Sequence, residues 1–133
     1  MTKVFEVGQV GTFTKTITET DVVLFAGISG DLNPAHINEV EASKGMFKKR
    51  IAHGMLGASL ISTVLGMYLP GPGTIYLGQN LTFLKPVAIG DTLTATATIT
   101  AVDEKGWLTL ETIVTNQDDV KVIVGTANVI PPK

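Results

Sequence analysis

The sequence predicts a single α+β domain in which a curved antiparallel sheet wraps around one long central helix. Three observations predict it. Residues 54–69 carry Met55, Leu56, Leu60, Ile61, Val64, Leu65, Met67 and Leu69 all round a helical wheel, so protein should surround this helix. From Thr92 onward, threonines alternate strictly with Leu93, Ala95, Ala97, Ile99 and Ala101, the period-two pattern of a strand buried on one face. The runs that follow are joined through Glu104-Lys105-Gly106 and Gln117-Asp118-Asp119, connections short enough to favour antiparallel neighbours.

The elements follow in order. Val4 to Ile17 can form one or two short strands around a turn at Val7-Gly8-Gln9. Thr20 is placed to cap a helix over 21–28, with Asp21 favourable in its first turn. Gly30 stops that helix, and Asn33-Pro34 should keep the next segment extended or turned. Residues 38–44 can make another helical turn or two, closed by Gly45. The central helix, roughly 24 Å long at 1.5 Å per residue, ends at Pro70-Gly71-Pro72-Gly73. Strands are then expected at 74–84, 92–101, 107–116 and 120–130, laid side by side as a meander.

At 133 residues the chain fits one domain, 1–133. A chain of this size buries roughly two thirds of its unfolded surface. Hydrophobic residues at 44% and charged residues at 17% exclude a disordered tail. A net charge of -2 argues against a nucleic-acid footprint. With no cysteine there is no disulfide, thiolate metal site or cysteine nucleophile, which fits a reducing compartment. Met1-Thr2-Lys3-Val4-Phe5-Glu6 leads into no apolar core of the kind a signal peptide needs. The apolar stretch 55–69 is interrupted by Ser59, Ser62 and Thr63 and is too short to span a bilayer. A soluble protein without a membrane partner is expected.

The chain's two histidines, His36 and His53, both fall near its least regular stretch, Ser29-Gly30-Asp31-Leu32-Asn33-Pro34-Ala35-His36. Asp31 and His36 can face one small volume across this loop and hold a water between carboxylate and imidazole, as general acid/base chemistry near neutral pH requires. Spacing alone leaves open that Asp31 merely caps a turn and His36 is a satisfied surface residue. His53-Gly54 opens the central helix, whose first N–H groups lack intrahelical partners. A substrate carbonyl could be polarised there, with Gly54 offering no Cβ to obstruct it. A plain helix cap is the alternative. Ser62 lies on a similar face of the helix and would, if buried, need a partner such as Asp31, a substrate atom or the carbonyl four residues back. Lys44, Lys48, Lys49 and Arg50 form a basic cluster that can meet phosphates or simply be solvated. A phosphate-binding glycine loop, a dinucleotide fingerprint and Gly-x-Ser-x-Gly are all missing, and two histidines are too few for a credible zinc site.

Phe25-Ala26-x-x-Ser29-Gly30-Asp31-x-Asn33-Pro34-x-His36, followed by Phe47-x-x-x-Ile51-Ala52-His53-Gly54-Met55-Leu56, resembles the hydratase motif of the MaoC-like (R)-specific enoyl-CoA hydratases. Tyr76-Leu77-Gly78-Gln79-Asn80-Leu81-x-Phe83 and Pro86-Val87-x-x-Gly90-Asp91 extend the resemblance along the whole chain. It implies a hot-dog fold, a homodimer with sheets joined edge to edge, and no metal or redox cofactor. It also implies reversible syn hydration of a trans-2-enoyl-CoA to a (3R)-3-hydroxyacyl-CoA in the cytoplasm. Asp31 and His36 then resemble the acid/base pair, the Gly54 N–H the donor to the thioester carbonyl, and Ser62 the residue that orients Asp31. Ser29, Asn33, His53, Lys48 and Arg50 are expected to contact substrate, and Leu65, three residues beyond Ser62, to floor a short acyl pocket. The rival readings are a (3R)-hydroxyacyl-carrier-protein dehydratase and a non-catalytic hot-dog protein that binds acyl thioesters.

Overall fold

The computed structural model describes residues 4–133, so Met1-Thr2-Lys3, half of the opening read against a signal peptide, lie outside them. Five strands form one antiparallel sheet: β1 (Val10–Thr16), β2 (Ile75–Phe83), β3 (Thr92–Val102), β4 (Leu108–Thr115) and β5 (Lys121–Ile130), in the order β1-β3-β4-β5-β2. The helices are α1 (Glu19–Ser29), α2 (Pro34–Ile37), α3 (Glu39–Lys44) and α4 (Gly54–Met67). The α+β architecture with α4 packed on the sheet matches the expectation. No helix among the described residues is long and apolar enough to cross a membrane.

The core forms where α4 meets the sheet. Leu93, Ala95, Ala97 and Ile99 are buried, and the threonines between them face outward. Small side chains in mid-strand let α4 approach closely. Gly57 continues this fit, since a Cβ there would lie 3.3 Å from Ile123 Cδ1. Ile61, Val64 and Leu65 of α4 are at most 1% exposed against Leu110, Val114 and Val129.

Four sequence expectations are corrected. Thr18, not Thr20, caps α1: its side chain accepts from Asp21 N while Asp21 Oδ2 accepts from Thr18 N, a reciprocal capping box two residues earlier. Residues 34–37 are helical rather than extended. Proline restricts the residue before it and is itself well suited to the first helical position, and Asn33 Oδ1 caps the turn by accepting from Ala35 N at 3.0 Å. The meander holds for β3-β4-β5 only, because β2 lies at the far edge and pairs with β5. Finally, α4 is not covered on every side. Met55, Ser59, Ser62 and Met67 form an exposed stripe along it, with Met55 56% and Met67 61% accessible.

The displacement of β2 matters for the site. Its link to β3 must cross the end of the sheet, and on the way it ties down the entry to α4. Ala52 N donates to Val87 O at 2.7 Å and Ile51 bridges Ala88. Farther along, Gly90 N donates to Ile17 O and Ile17 N to Asp91 O.

Candidate active site

Two irregular segments meet here: residues 29–36, between α1 and α2, and residues 50–54, leading into α4. Gly30 ends α1 with φ +79, a left-handed conformation that glycine adopts without strain, and its N–H returns to Ala26 O. The chain thereby turns to present Asp31. Asp31 Oδ1 accepts from Asn33 N at 3.1 Å, which fixes the carboxylate in an Asx turn and leaves Oδ2 without a partner among the described residues.

His36 reaches back to the second segment. Its Nδ1 lies 2.8 Å from Ile51 O, and a carbonyl can only accept, so Nδ1 carries the hydrogen. In the neutral ring Nε2 is then a bare base. His53 is 2% exposed and stacks on His36 with ring centroids 3.9 Å apart, while Phe25 closes its other side at 4.9 Å. His53 Nε2 donates to Asp31 O at 2.9 Å, and its Nδ1 is buried without a partner among the described residues. The segments are further laced by Ile51 N donating to Ala35 O.

Asp31, His36 and His53 each bring a donor atom within 4.8 Å of the others. The two imidazoles are only 30° from parallel, so their in-plane lone pairs do not converge well on one ion. A carboxylate beside a base of fixed tautomer is better suited to holding a water and moving its protons.

Gly54 follows His53 directly as the first residue of α4. Its N–H and that of Met55 make no hydrogen bond among the described residues, as the first turn of a helix leaves them. Gly54 borders an apolar cavity of about 320 Å³, together with Phe47, Phe83, Leu84, Lys85 and Ile123. A Cβ at position 54 would stand 2.8 Å from the Phe83 ring, so the missing side chain is what lets that ring lie against the helix start. Asp31 and His36 do not line this cavity. Ile51, which also lines it, links it to His36 through its carbonyl, and Gly54 links it through His53.

Several residues expected to touch substrate have other tasks. The Ser29 hydroxyl donates to Phe25 O and accepts from Asp31 N, and Asn33 caps α2, so both shape the loop. His53 lies behind His36 and holds the Asp31 backbone. Ser62 lies in the exposed stripe of α4 and makes no hydrogen bond to Asp31 within this chain. Leu65 is 1% exposed and packed in the core. Arg50 is drawn inward, its side chain 12% exposed, to Glu19 and His36 O. Lys44 sits beside Glu41 at 3.6 Å, and Lys48 points from an exposed turn with φ 62. No sequence signal marks the carbonyls of Ile51 and Asp31 as tethers, since any residue type supplies a main-chain oxygen. Phe83 and Phe25 were visible only as parts of motifs.

Residues 5–122 match the MaoC like domain. The chain belongs to the MaoC-like family. Within it, the chain is 55% identical over 126 residues to the (R)-specific enoyl-CoA hydratase of Rhodospirillum rubrum, covering 94% of this chain and 87% of that one. Among solved structures, this MaoC-like chain is similar to the (R)-hydratase from Aeromonas caviae involved in PHA biosynthesis. That match has 41% identity and TM-score 0.95, and covers 98% of this chain and 100% of the other. It is similar also to the unliganded R-hydratase PhaJ1 of Pseudomonas aeruginosa, at 44% identity and TM-score 0.93, covering 97% and 83% of the two chains. The fold is therefore the hot-dog fold of the R-hydratases.

Proposed function

We propose that this MaoC-like protein is an (R)-specific enoyl-CoA hydratase, a hydro-lyase that adds water reversibly and syn across a short-chain trans-2-enoyl-CoA to give the (3R)-3-hydroxyacyl-CoA. The observation that carries the reading is the Asp31–His36 pair, with Nδ1 of His36 held by Ile51 O so that Nε2 is left to act on a water beside the carboxylate. Addition of hydroxide at Cβ moves an electron pair through the Cα–Cβ bond onto the thioester oxygen as an enolate. The unpartnered Gly54 N–H, at the positive end of α4, stabilises that charge where it develops, and loss of such a donor costs about 2.7–4 kcal/mol. The enolate then collapses as Cα takes a proton from the same side, restoring the acid/base pair. The reaction is redox-neutral, and a backbone donor serves the oxyanion, so no metal or redox cofactor takes part and activity should survive chelation with EDTA.

Further calls belong to the same proposal. Two subunits join edge to edge through β2, where Ile75, Tyr76, Leu77 and Phe83 are 40–55% exposed, and the open stripe of α4 also awaits a partner. The acyl thioester runs along this boundary in the cytoplasm, its phosphates toward Lys48 and Lys49. The test is hydration of crotonyl-CoA, followed by loss of the enoyl absorbance and by chiral analysis of the product. A (3S) product, or none, overturns the reading. Matched crotonyl-CoA and crotonyl-carrier-protein substrates separate the hydratase from a carrier-protein dehydratase by the ratio of their kcat/KM values.

A further inference from the structure

We infer that Arg50 is a positioning residue that sets His36 for proton transfer, rather than a ligand for the substrate's phosphates. The inference rests on the hydratase reading. Arg50 Nε donates to His36 O at 2.8 Å, and Nη1 of the same guanidinium binds Glu19 Oε1 at the start of α1. The next residue then grips the other end of His36, for Ile51 O takes the ring Nδ1–H at 2.8 Å. Backbone and ring of one histidine are thus held by two consecutive residues. His36 cannot slide relative to the entry of α4, where Gly54 presents its N–H.

Only arginine fits this position. Its planar fork offers Nε–H and Nη1–H in fixed relation to two acceptors on different segments, whereas a lysine ammonium is a single point on a flexible stem. The ion pair itself contributes little, because Glu19 is 66% exposed. What counts is that Glu19 anchors one arm of the fork while the other arm meets a carbonyl next to the buried ring. With its side chain 12% exposed and two donors engaged, Arg50 is poorly placed to reach a phosphate in solvent. Its neighbours Lys48 and Lys49 have no ion pair among the described residues, and that task falls to them.

The experiment compares Arg50→Met and Arg50→Lys with the wild type on two substrates. One is crotonyl-CoA; the other is crotonyl-N-acetylcysteamine, which has the thioester and no phosphate. Displacing a reacting group by about 1 Å can cost on the order of a hundredfold. Both variants should therefore lose roughly tenfold to a hundredfold in kcat, by the same factor on both substrates, with little change in KM. Arg50→Lys keeps the charge and should keep the melting temperature near that of the wild type, so its loss cannot be ascribed to unfolding. A rise in KM confined to crotonyl-CoA, or kinetics unchanged in Arg50→Lys, overturns the inference. Nitrogen-15 NMR of the imidazoles gives a reading independent of turnover. The wild type should show His36 as the Nδ1–H tautomer, and Arg50→Lys a mixture of tautomers; identical spectra overturn the inference as well. An inactive wild type would instead count against the hydratase reading, and the tautomer comparison would still decide the role of Arg50.

Discussion

An imidazole can exchange a proton usefully only if its two nitrogens are kept distinct, and at His36 that distinction comes from Ile51 O. Asp31 is held as firmly, by the Asx turn to Asn33 and by His53 on its carbonyl. Asp31→Asn and His36→Ala should each lower kcat by roughly two orders of magnitude or more on crotonyl-CoA, the usual scale for a lost acid or base. The double variant should be little worse than either single, since the two act as one unit. A folded single variant with near-normal turnover would remove the site. Leu65 makes a separate prediction. Leu65→Ala should destabilise by about 2–5 kcal/mol simply as a core truncation. If Leu65 also floors the acyl pocket, the kcat/KM ratios for C4, C6 and C8 enoyl-CoA shift toward the longer chains; unchanged ratios leave it as core only. The sequence announced the chemistry-bearing types and their loop, because few side chains titrate near neutral pH. The roles of Ser29, Asn33 and Arg50 were hidden, because they bond main-chain groups (Phe25 O and Asp31 N, Ala35 N, and His36 O) that no residue type marks.

Among the elements, α1 shows how a local rule can be read at the wrong residue. Thr18-x-x-Asp21 was present in the sequence as a capping pair, and only the reciprocal bonds show that it prevails over Thr20. Asp21 also meets Lys15 Nζ of β1 at 2.9 Å. Partial burial pushes its carboxyl pKa up, but the hydrogen bond to Lys15, the bonds from Thr18 and the lysine charge outweigh this and bring it below the ordinary value. A carboxylate depressed in the folded state adds stability above its unfolded pKa, about 3.9, and loses it as pH falls through the lower folded value. Asp21→Asn should therefore melt below the wild type at neutral pH, and the two should converge as the solution is taken below about pH 4. Convergence already near pH 6 would assign the difference to another group. For β3 the alternation was unambiguous, because a side-chain period of two has no helical counterpart. The place of β2 was not legible. Neighbourhood in sequence favours pairing with β3, and nothing local records that β5 offers it a better edge.

At the scale of the whole molecule, the protomer leaves two kinds of surface unfinished. The edge strand β2 offers main-chain donors and acceptors under exposed Ile75, Tyr76 and Leu77, and α4 shows Met55 and Met67. A two-fold contact would cover both. Sedimentation at assay concentration should give a dimer, and Leu77→Lys in the first half of β2 should shift it toward monomer with loss of activity. A fully active monomer would refute the assembly. The apolar continuity of α4 was visible in the sequence, but what covers it was not: an all-round apolar helix reads the same whether its last face meets its own sheet or another subunit.

The tethering of both histidines to peptide carbonyls has a consequence for how such a protein can diverge. Oxygen atoms at Asp31 and Ile51 do the holding, and every amino acid carries one. Lineages can therefore exchange the side chain at position 51 for another that suits the bridge to Ala88 while the His36 imidazole stays in register. Selection on the outline of the apolar cavity beside Gly54, through Phe47, Phe83 or Leu84, is then uncoupled from selection on the histidine tethers. Substrate range can drift while the reaction is inherited unchanged.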